Sequence, residues 1–251
     1  MLRRQPGLRV PELAGALAVS EGTIRNDLNA LELEGRLRRV YGGAVLTDQD
    51  QFQNTSFVRR FRQNSAAKLA IAREAAFLVG DGDSILLDAS SSSYYLARAL
   101  AERSKLRVMT NGFEVARELA QNTSNTVILI GGVVNNDSSS VTGLLSEQII
   151  AEMHIGKAFF SCTGFSIERG MTEVHLEEAQ LKRKAIESSQ QIIALIDSSK
   201  MGNEDLTPFA RIDQITRLFT DSEISQQWVE NLERAGIDFT ICEGEAISEK
   251  Q

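Results

Sequence analysis

Arg25, Asn26 and Asn29 stand within five residues of one another, and their side chains carry the groups that pair with base edges. A guanidinium spans guanine O6 and N7, and a carboxamide spans adenine N6 and N7. Further on, Arg36, Arg38 and Arg39 concentrate charge that phosphates attract whatever the base sequence. A different chemistry is offered by Asp88-Ala89-Ser90-Ser91-Ser92-Ser93, because small hydroxyls beside the unpaired amides of a helix amino end suit a phosphate. Thr110-Asn111-Gly112, Gly131-Gly132, Thr163-Gly164 and Asp197-Ser198-Ser199-Lys200 add amides, glycines and one cation. Each group also has a plain structural reading: a solvated helix face, a polar capping loop, ordinary turns, or Lys200 paired with Asp197.

These residues need elements to position them. Pro11 suits a first helical turn, and Leu13, Ala14 and Leu17 recur at helical spacing, so a short helix is expected over residues 11–17. Ser20 can cap the amide of Thr23 and open a second helix running to about Glu34. In that helix Ile24, Leu28 and Leu31 form a narrow apolar stripe, with Gly22, Arg25, Asn26 and Asn29 on the other side. Two helices joined so tightly cross steeply, leaving the second free to enter a DNA major groove. Gly35 ends it. Residues 36–40 then read as a basic strand, residues 41–43 as a turn and residues 44–46 as a returning strand, together a wing.

The charge is divided accordingly. The net charge is −7, but residues 1–46 hold seven Arg, no Lys and five acids, a local +2, and the remaining 20 basic and 29 acidic residues make −9. A basic module on an acidic carrier fits a DNA reader with a separate second task. Residues 48–64 are polar with isolated Phe52, Phe57 and Phe61 and read as a connector that docks on either domain or on a partner chain.

Beyond Ser65, helical stretches alternate with short β-rich runs at residues 84–88, 106–110, 126–130, 157–161, 191–196, 216–220 and 238–242. That alternation predicts an α/β domain with a mainly parallel sheet covered by helices. Ligands of open sheets collect at the carboxyl ends of strands, which is where the hydroxyls, glycines and Lys200 fall. Cys162 and Cys242 lack paired spacing, and His154 and His175 are the sole histidines, so neither a disulfide framework nor a metal site is expected. No apolar run approaches a membrane span, and Met1-Leu2-Arg3-Arg4 is not followed by a secretion signal, so the expected location is the cytoplasm.

The run 20–28, with Leu31-Glu32, Gly35, Arg39 and Gly42-Gly43-Ala44, resembles the helix-turn-helix signature of the DeoR family of repressors. Ala18 stands where that family often has Gly, and Asn26 where it often has a second Arg. Only Met1 to Gln5 precede Pro6-Gly7 where family members have a full helix, so a truncated first helix is expected. Residues 68–72 and 88–92, with Thr110-Asn111, Gly131-Gly132, Gly164, Glu178, Lys182 and residues 197–200, extend the resemblance to the DeoR effector domain. That domain is similar in fold to sugar-phosphate isomerases of the ribose-5-phosphate isomerase and glucosamine-6-phosphate deaminase group. The resemblance implies that Ser90, Ser91 and Ser92 hold a phosphate where the family often has Gly-Thr-Thr.

The resulting expectation is a winged helix-turn-helix over residues 1–47, a linker over 48–64 and an effector domain over 65–251. Ser20, Gly22, Thr23, Arg25, Asn26, Asn29, Arg36, Arg38 and Arg39 form the DNA set. Asp88, Ser90, Ser91, Ser92, Thr110, Asn111, Gly131, Gly132, Gly164 and Lys200 form the effector set. The function implied is repression of carbohydrate genes by a homodimer or homotetramer that binds an operator and a phosphorylated sugar or polyol, without a cofactor. An isomerase would need a positioned acid and base; Asp88, His175, Glu177 and Glu178 are conceivable, but no spacing selects a pair.

Overall fold

The computed structural model describes residues 8–17, 19–33, 37–40, 43–46 and 55–244. The chain divides into two compact units at Arg59 and Arg60. In the first, α1 (Val10–Leu17) and α2 (Glu21–Leu33) are joined by a short turn, and β1 (Leu37–Val40) pairs antiparallel with β2 (Gly43–Leu46). Ser20 Oγ accepts from the Thr23 amide at 3.1 Å, the cap expected for α2. Val10, Leu13 and Ala14 of α1 meet Ile24 and Leu28 of α2 in a small core, with Leu8 and Leu31 packed against it. The expected apolar stripe thus faces inward.

A helix, α3 (Ser56–Arg62), forms within the segment read as a connector. Phe61 stacks on Tyr95, with ring centroids 5.1 Å apart, and meets Tyr94 edge-on at 5.5 Å. Its contacts therefore lie within the second unit. Phe52 lies outside the described residues.

The second unit is built on a seven-stranded parallel sheet. Its strands are β3 (Ser84–Leu87), β4 (Arg107–Thr110), β5 (Thr126–Leu129), β8 (Ile155–Phe160), β11 (Ser189–Leu195), β13 (Arg217–Asp221) and β14 (Phe239–Cys242). These are the seven runs expected from sequence. Successive residues face opposite sides of a sheet, and both sides here are apolar. Ile85 and Leu87 join one core with α4 (Ser65–Ala76), α5 (Ser91–Ala99) and α6 (Phe113–Leu119). Leu86 joins another with α7 (Leu144–Ala151), α8 (Leu176–Glu187) and α9 (Gln226–Arg234).

The strand order is β14-β13-β11-β8-β3-β4-β5. From β3 the chain progresses towards β5, and from β8 it progresses towards β14, so direction reverses between these neighbours. At such a point the loops leaving two adjacent strands diverge and open a crevice. Two small additions flank the sheet: the hairpin of β6 (Val133–Asn135) and β7 (Ser140–Thr142), and a three-stranded sheet of β9 (Gly164–Ser166), β10 (Gly170–Glu173) and β12 (Thr207–Ala210).

Candidate functional site

The crevice is a cleft of about 250 Å³ whose lining includes Arg60, Asn64, Lys68, Ser91, Ser199 and Lys200. Its rear wall is organised by Asp88, at the end of β3. One Asp88 oxygen accepts from the Ser90 amide at 3.1 Å and the Ser93 hydroxyl at 2.5 Å; the other accepts from the Ser161 amide, at the end of β8, at 3.1 Å. Lys182 of α8 places its ammonium 3.1 Å from Asp88 and 2.6 Å from Glu173, and donates to the Ser161 carbonyl. Burial alone would raise the Asp88 carboxyl, but Lys182 and these hydrogen bonds outweigh it and hold the group below its ordinary value. The same carboxylates raise Lys182 despite its burial. Buried charges in the rear wall are thus paired and bonded.

Ser90 is the N-cap of α5, its hydroxyl accepting from the Ser93 amide at 3.1 Å. Ser91 and Ser92 occupy the first turn, ahead of Tyr94, whose amide is the first to donate to a backbone carbonyl of the helix, so their own amides form part of the positive end of the helix dipole. Lys200, in the turn after β11, donates to Ser161 Oγ at 2.7 Å and lies 3.3 Å from Asp197. Lys68 is almost fully buried, and its ammonium donates to the carbonyls of Arg60, at 2.6 Å, and Gln63. Burial pushes that ammonium down to about 8, with Lys200 acting in the same direction and Asp197 partly opposing. Cys162 also lines the cleft, its thiol pushed up to about 12 by burial.

Of the expected effector residues, Ser90, Ser91 and Lys200 line the cleft and Asp88 holds its rear wall. Ser92 is not part of the lining but donates to Ser161 Oγ, which is, at 3.3 Å. Thr110, Asn111, Gly131, Gly132 and Gly164 are not part of the lining. Thr110 and Asn111 end β4, on the other side of β3, and fasten β7: Thr110 Oγ1 accepts from the Gly112 amide, and Asn111 exchanges bonds with the Val141 backbone. A Cβ on Gly132 would stand 2.4 Å from Ser146 Oγ and the Thr142 carbonyl, and one on Gly164 2.5 Å from the Asn203 carbonyl. Those glycines serve close packing. Glu178 is similarly occupied, accepting from Ser140 Oγ and Asn111 Nδ2; burial raises its carboxyl against the pull of Lys182.

Arg60, Gln63 and Asn64 fell in the expected linker, and neither they nor Glu173 was singled out for the site. Lys68 had a visible signal: with Ile71, Ala72 and Ala75 it occupies one helical face at i, i+3, i+4 and i+7. A lysine on an apolar stripe needs an explanation.

On α2, Gly22, Arg25 and Asn26 are exposed together, opposite buried Ile24 and Leu28. Thr23 is exposed and shares a 2.9 Å hydroxyl contact with Ser20. Arg25 is paired at 2.6 Å with Glu21, one turn earlier. Asn29 belongs to α2, and Arg38 and Arg39 to β1, with side chains outside the described set; Arg36 lies outside the described residues.

The DeoR-like helix-turn-helix domain matches residues 1–50, and the DeoR C terminal sensor domain matches residues 63–222. The chain belongs to the DeoR family. Like other DeoR proteins it is a transcription regulator. It is 38% identical to the HTH-type transcriptional regulator GolR of Listeria innocua, over 97% of this chain and 95% of that one. It is 30% identical to the putative aga operon transcriptional repressor of Escherichia coli O157:H7, over 96% and 90%. The glycerol-3-phosphate regulon repressor of Haemophilus influenzae is 29% identical over 94% and 91%. Among solved structures, ribose 5-phosphate isomerase A from Methanocaldococcus jannaschii overlaps 55% of each chain at 18% identity with a TM-score of 0.42, too loose to bear on this DeoR protein's activity. No described helix is long and apolar enough to cross a membrane.

Proposed function

We propose that this DeoR protein is a repressor of carbohydrate genes whose grip on its operator is set by a phosphorylated sugar or polyol in the cleft. The observation that carries this reading is the buried ammonium of Lys68, bonded to main-chain carbonyls and standing with Lys200 and the α5 amino end in one cleft. Asp197 is the carboxylate beside both lysines, 3.3 Å from Lys200, and a dianionic ligand supplies the further negative charge that two ammoniums and a helix amino end attract. The named targets of relatives, an aga operon and a glycerol-3-phosphate regulon, fit a carbohydrate or polyol signal. In this reading the protein acts in the cytoplasm as a homodimer or homotetramer, since paired helix-turn-helix units read paired half-sites. Its cleft senses and does not catalyse: Asp88, Glu173 and Lys182 are spent on one another.

Thermal-shift measurements with glycerol 3-phosphate, fructose 6-phosphate and ribose 5-phosphate, each beside its dephosphorylated form, test the reading. At least one phosphate ester is expected to stabilise the protein, and the matching free compound is not. Ser91→Asp places a carboxylate where the phosphate sits, and is expected to abolish that stabilisation while operator binding without ligand persists. Equal stabilisation by free sugars, or a parent-like response of Ser91→Asp, would remove the phosphate site.

A further inference from the structure

The peptide leading from the DNA-reading unit into the sensor is built into the wall of the cleft. α3 ends at Arg62, and the last carbonyls of any helix need donors from outside it. Here the next helix provides them: Lys68 of α4 donates to the carbonyls of Arg60 and Gln63. Between the two helices Asn64 takes a left-handed backbone conformation, φ 50° and ψ 39°. Non-glycine residues adopt that conformation uncommonly, Asn more readily than most. Its carboxamide then donates to Asp197 Oδ1 at 2.9 Å and Ser199 Oγ at 2.8 Å. Arg60, Gln63, Asn64, Lys68, Asp197 and Ser199 all line the cleft, so the fastenings of the α3–α4 junction and the walls of the site are the same groups.

We infer that Asn64 and Lys68 are the coupling residues of this regulator, converting occupancy of the cleft into a change at the α3–α4 junction and from there into a change in operator affinity. The inference rests on the reading of the cleft as a phosphate site. An oxyanion that accepts from the third hydrogen of the Lys68 ammonium draws that group away from the carbonyls of Arg60, in the last turn of α3, and Gln63, just beyond it. The same ion draws on Lys200, which lies 3.3 Å from Asp197 Oδ2, an oxygen with no hydrogen bond of its own. Weakening that ion pair makes Asp197 a stronger acceptor for Asn64. Ligand and junction therefore share donors and acceptors, and whatever alters one alters the other by the same free energy. Phosphate contact at Ser91 and the α5 amino end does not involve the junction, so binding and coupling are separable by mutation.

Asn64→Gly keeps the left-handed backbone accessible and removes both side-chain bonds. Ser199→Ala removes one of the two from the other side, together with the Ser199 hydroxyl's own donation to Asp197 Oδ1, and leaves the backbone of the junction untouched. The full-length parent and both variants are titrated with inorganic phosphate by calorimetry. Operator affinity is then measured with and without saturating phosphate, against potassium chloride at matched ionic strength, since DNA binding itself falls with salt. The parent's operator Kd is expected to shift at least about fivefold with phosphate. Asn64→Gly is expected still to bind phosphate, through Ser91, the α5 amino end and Lys200, with an affinity altered by no more than the lost coupling, about fivefold, while the operator shift drops below about twofold, with Ser199→Ala in between. Retention of the full shift by a phosphate-binding Asn64→Gly overturns the inference, as does loss of its phosphate binding, which would make Asn64 a ligand group. If Asn64→Gly does not fold, Ser199→Ala decides: a reduced shift supports the coupling and an unchanged one overturns it. A parent that binds no phosphate removes the reading of the cleft itself, and the coupling with it.

Discussion

At the scale of residues, two cations are held away from the targets they would serve. Arg25 on α2 is paired with Glu21 at 2.6 Å, with both side chains about half exposed, 55% and 45%. An exposed pair of this kind is worth about 0–1 kcal/mol, little beside a bidentate guanine contact worth about 1–3 kcal/mol, so DNA can displace Glu21. Arg25→Ala is expected to weaken operator binding by about 1–3 kcal/mol while leaving scrambled DNA nearly unaffected. Glu21→Gln should tighten both. Filter binding or fluorescence anisotropy on the two duplexes checks this, and equal losses for Arg25→Ala would show that it touches only the backbone. Lys68 gives a pH dependence. Its ammonium, pushed down to about 8 by burial, loses its proton in the folded protein as pH rises through that value, whereas an unburied lysine holds its proton to about 10.5. The charged groups around it are Lys200, Asp197 and Arg60; Asp197 is held below its ordinary value and stays ionised throughout. Phosphate affinity should therefore be full below pH 8 and about tenfold weaker by pH 9. Lys68→Arg, which keeps its charge, should flatten the profile in calorimetric titrations.

At the scale of elements, the ends of β3 and β8 are tied through Asp88, and α8 is tied to both through Lys182. Lys182→Met would leave Asp88 and Glu173 buried without their cation. Removing one partner of a buried charge group costs about 3–5 kcal/mol, far more than the methylenes retained by Met return. Urea denaturation should show that loss, and a variant within about 1 kcal/mol of the parent would mean that water or rearrangement replaces the ammonium. The helix α3 carries a different lesson. Residues 56–62 make only two turns and are polar at most positions, so the local marks are slight: Thr55 Oγ1 accepts from the Val58 amide at 3.3 Å, and Phe57 and Phe61 stand one turn apart; Phe61 then anchors the helix by packing on Tyr94 and Tyr95.

At the scale of the whole molecule, the chain forms two compact units with separate cores: among the described residues, a small cluster of five buried apolar side chains in one and two large clusters in the other. Such a chain need not unfold in one step. Calorimetry of the full-length protein is expected to show a lower transition for the first unit and a higher one for the sensor. A stabilising phosphate ester should move only the higher transition. Hydrogen exchange should agree, with α1 and α2 less protected than β8 and β11. A single transition displaced as a whole by ligand would show that the units fold as one.

What the sequence determined by itself is what repeats locally. The seven short β-rich runs, the 3.6 period of Ile24, Leu28 and Leu31, and the cap at Ser20 each depend on neighbours a few residues away. They were legible for that reason, as was the placement of Ser90, Ser91 and Lys200 at strand ends. Strand order was not legible, because it depends on which strands pair, and pairing joins residues far apart in the chain. That order put the crevice between β3 and β8 and sent Thr110, Asn111, Gly131 and Gly132 to the other side of β3, where Asn111 fastens β7 and Gly132 permits close packing. It also brought Asn64 to Ser199 and Asp197, more than 130 residues away. The β6–β7 hairpin and the strands β9, β10 and β12, of three or four residues each, are too short to carry a period and exist through their partners. Lys68 shows both sides: its place on an apolar helical face is written in the sequence, but only the folded chain sets its ammonium against the end of α3 within the cleft.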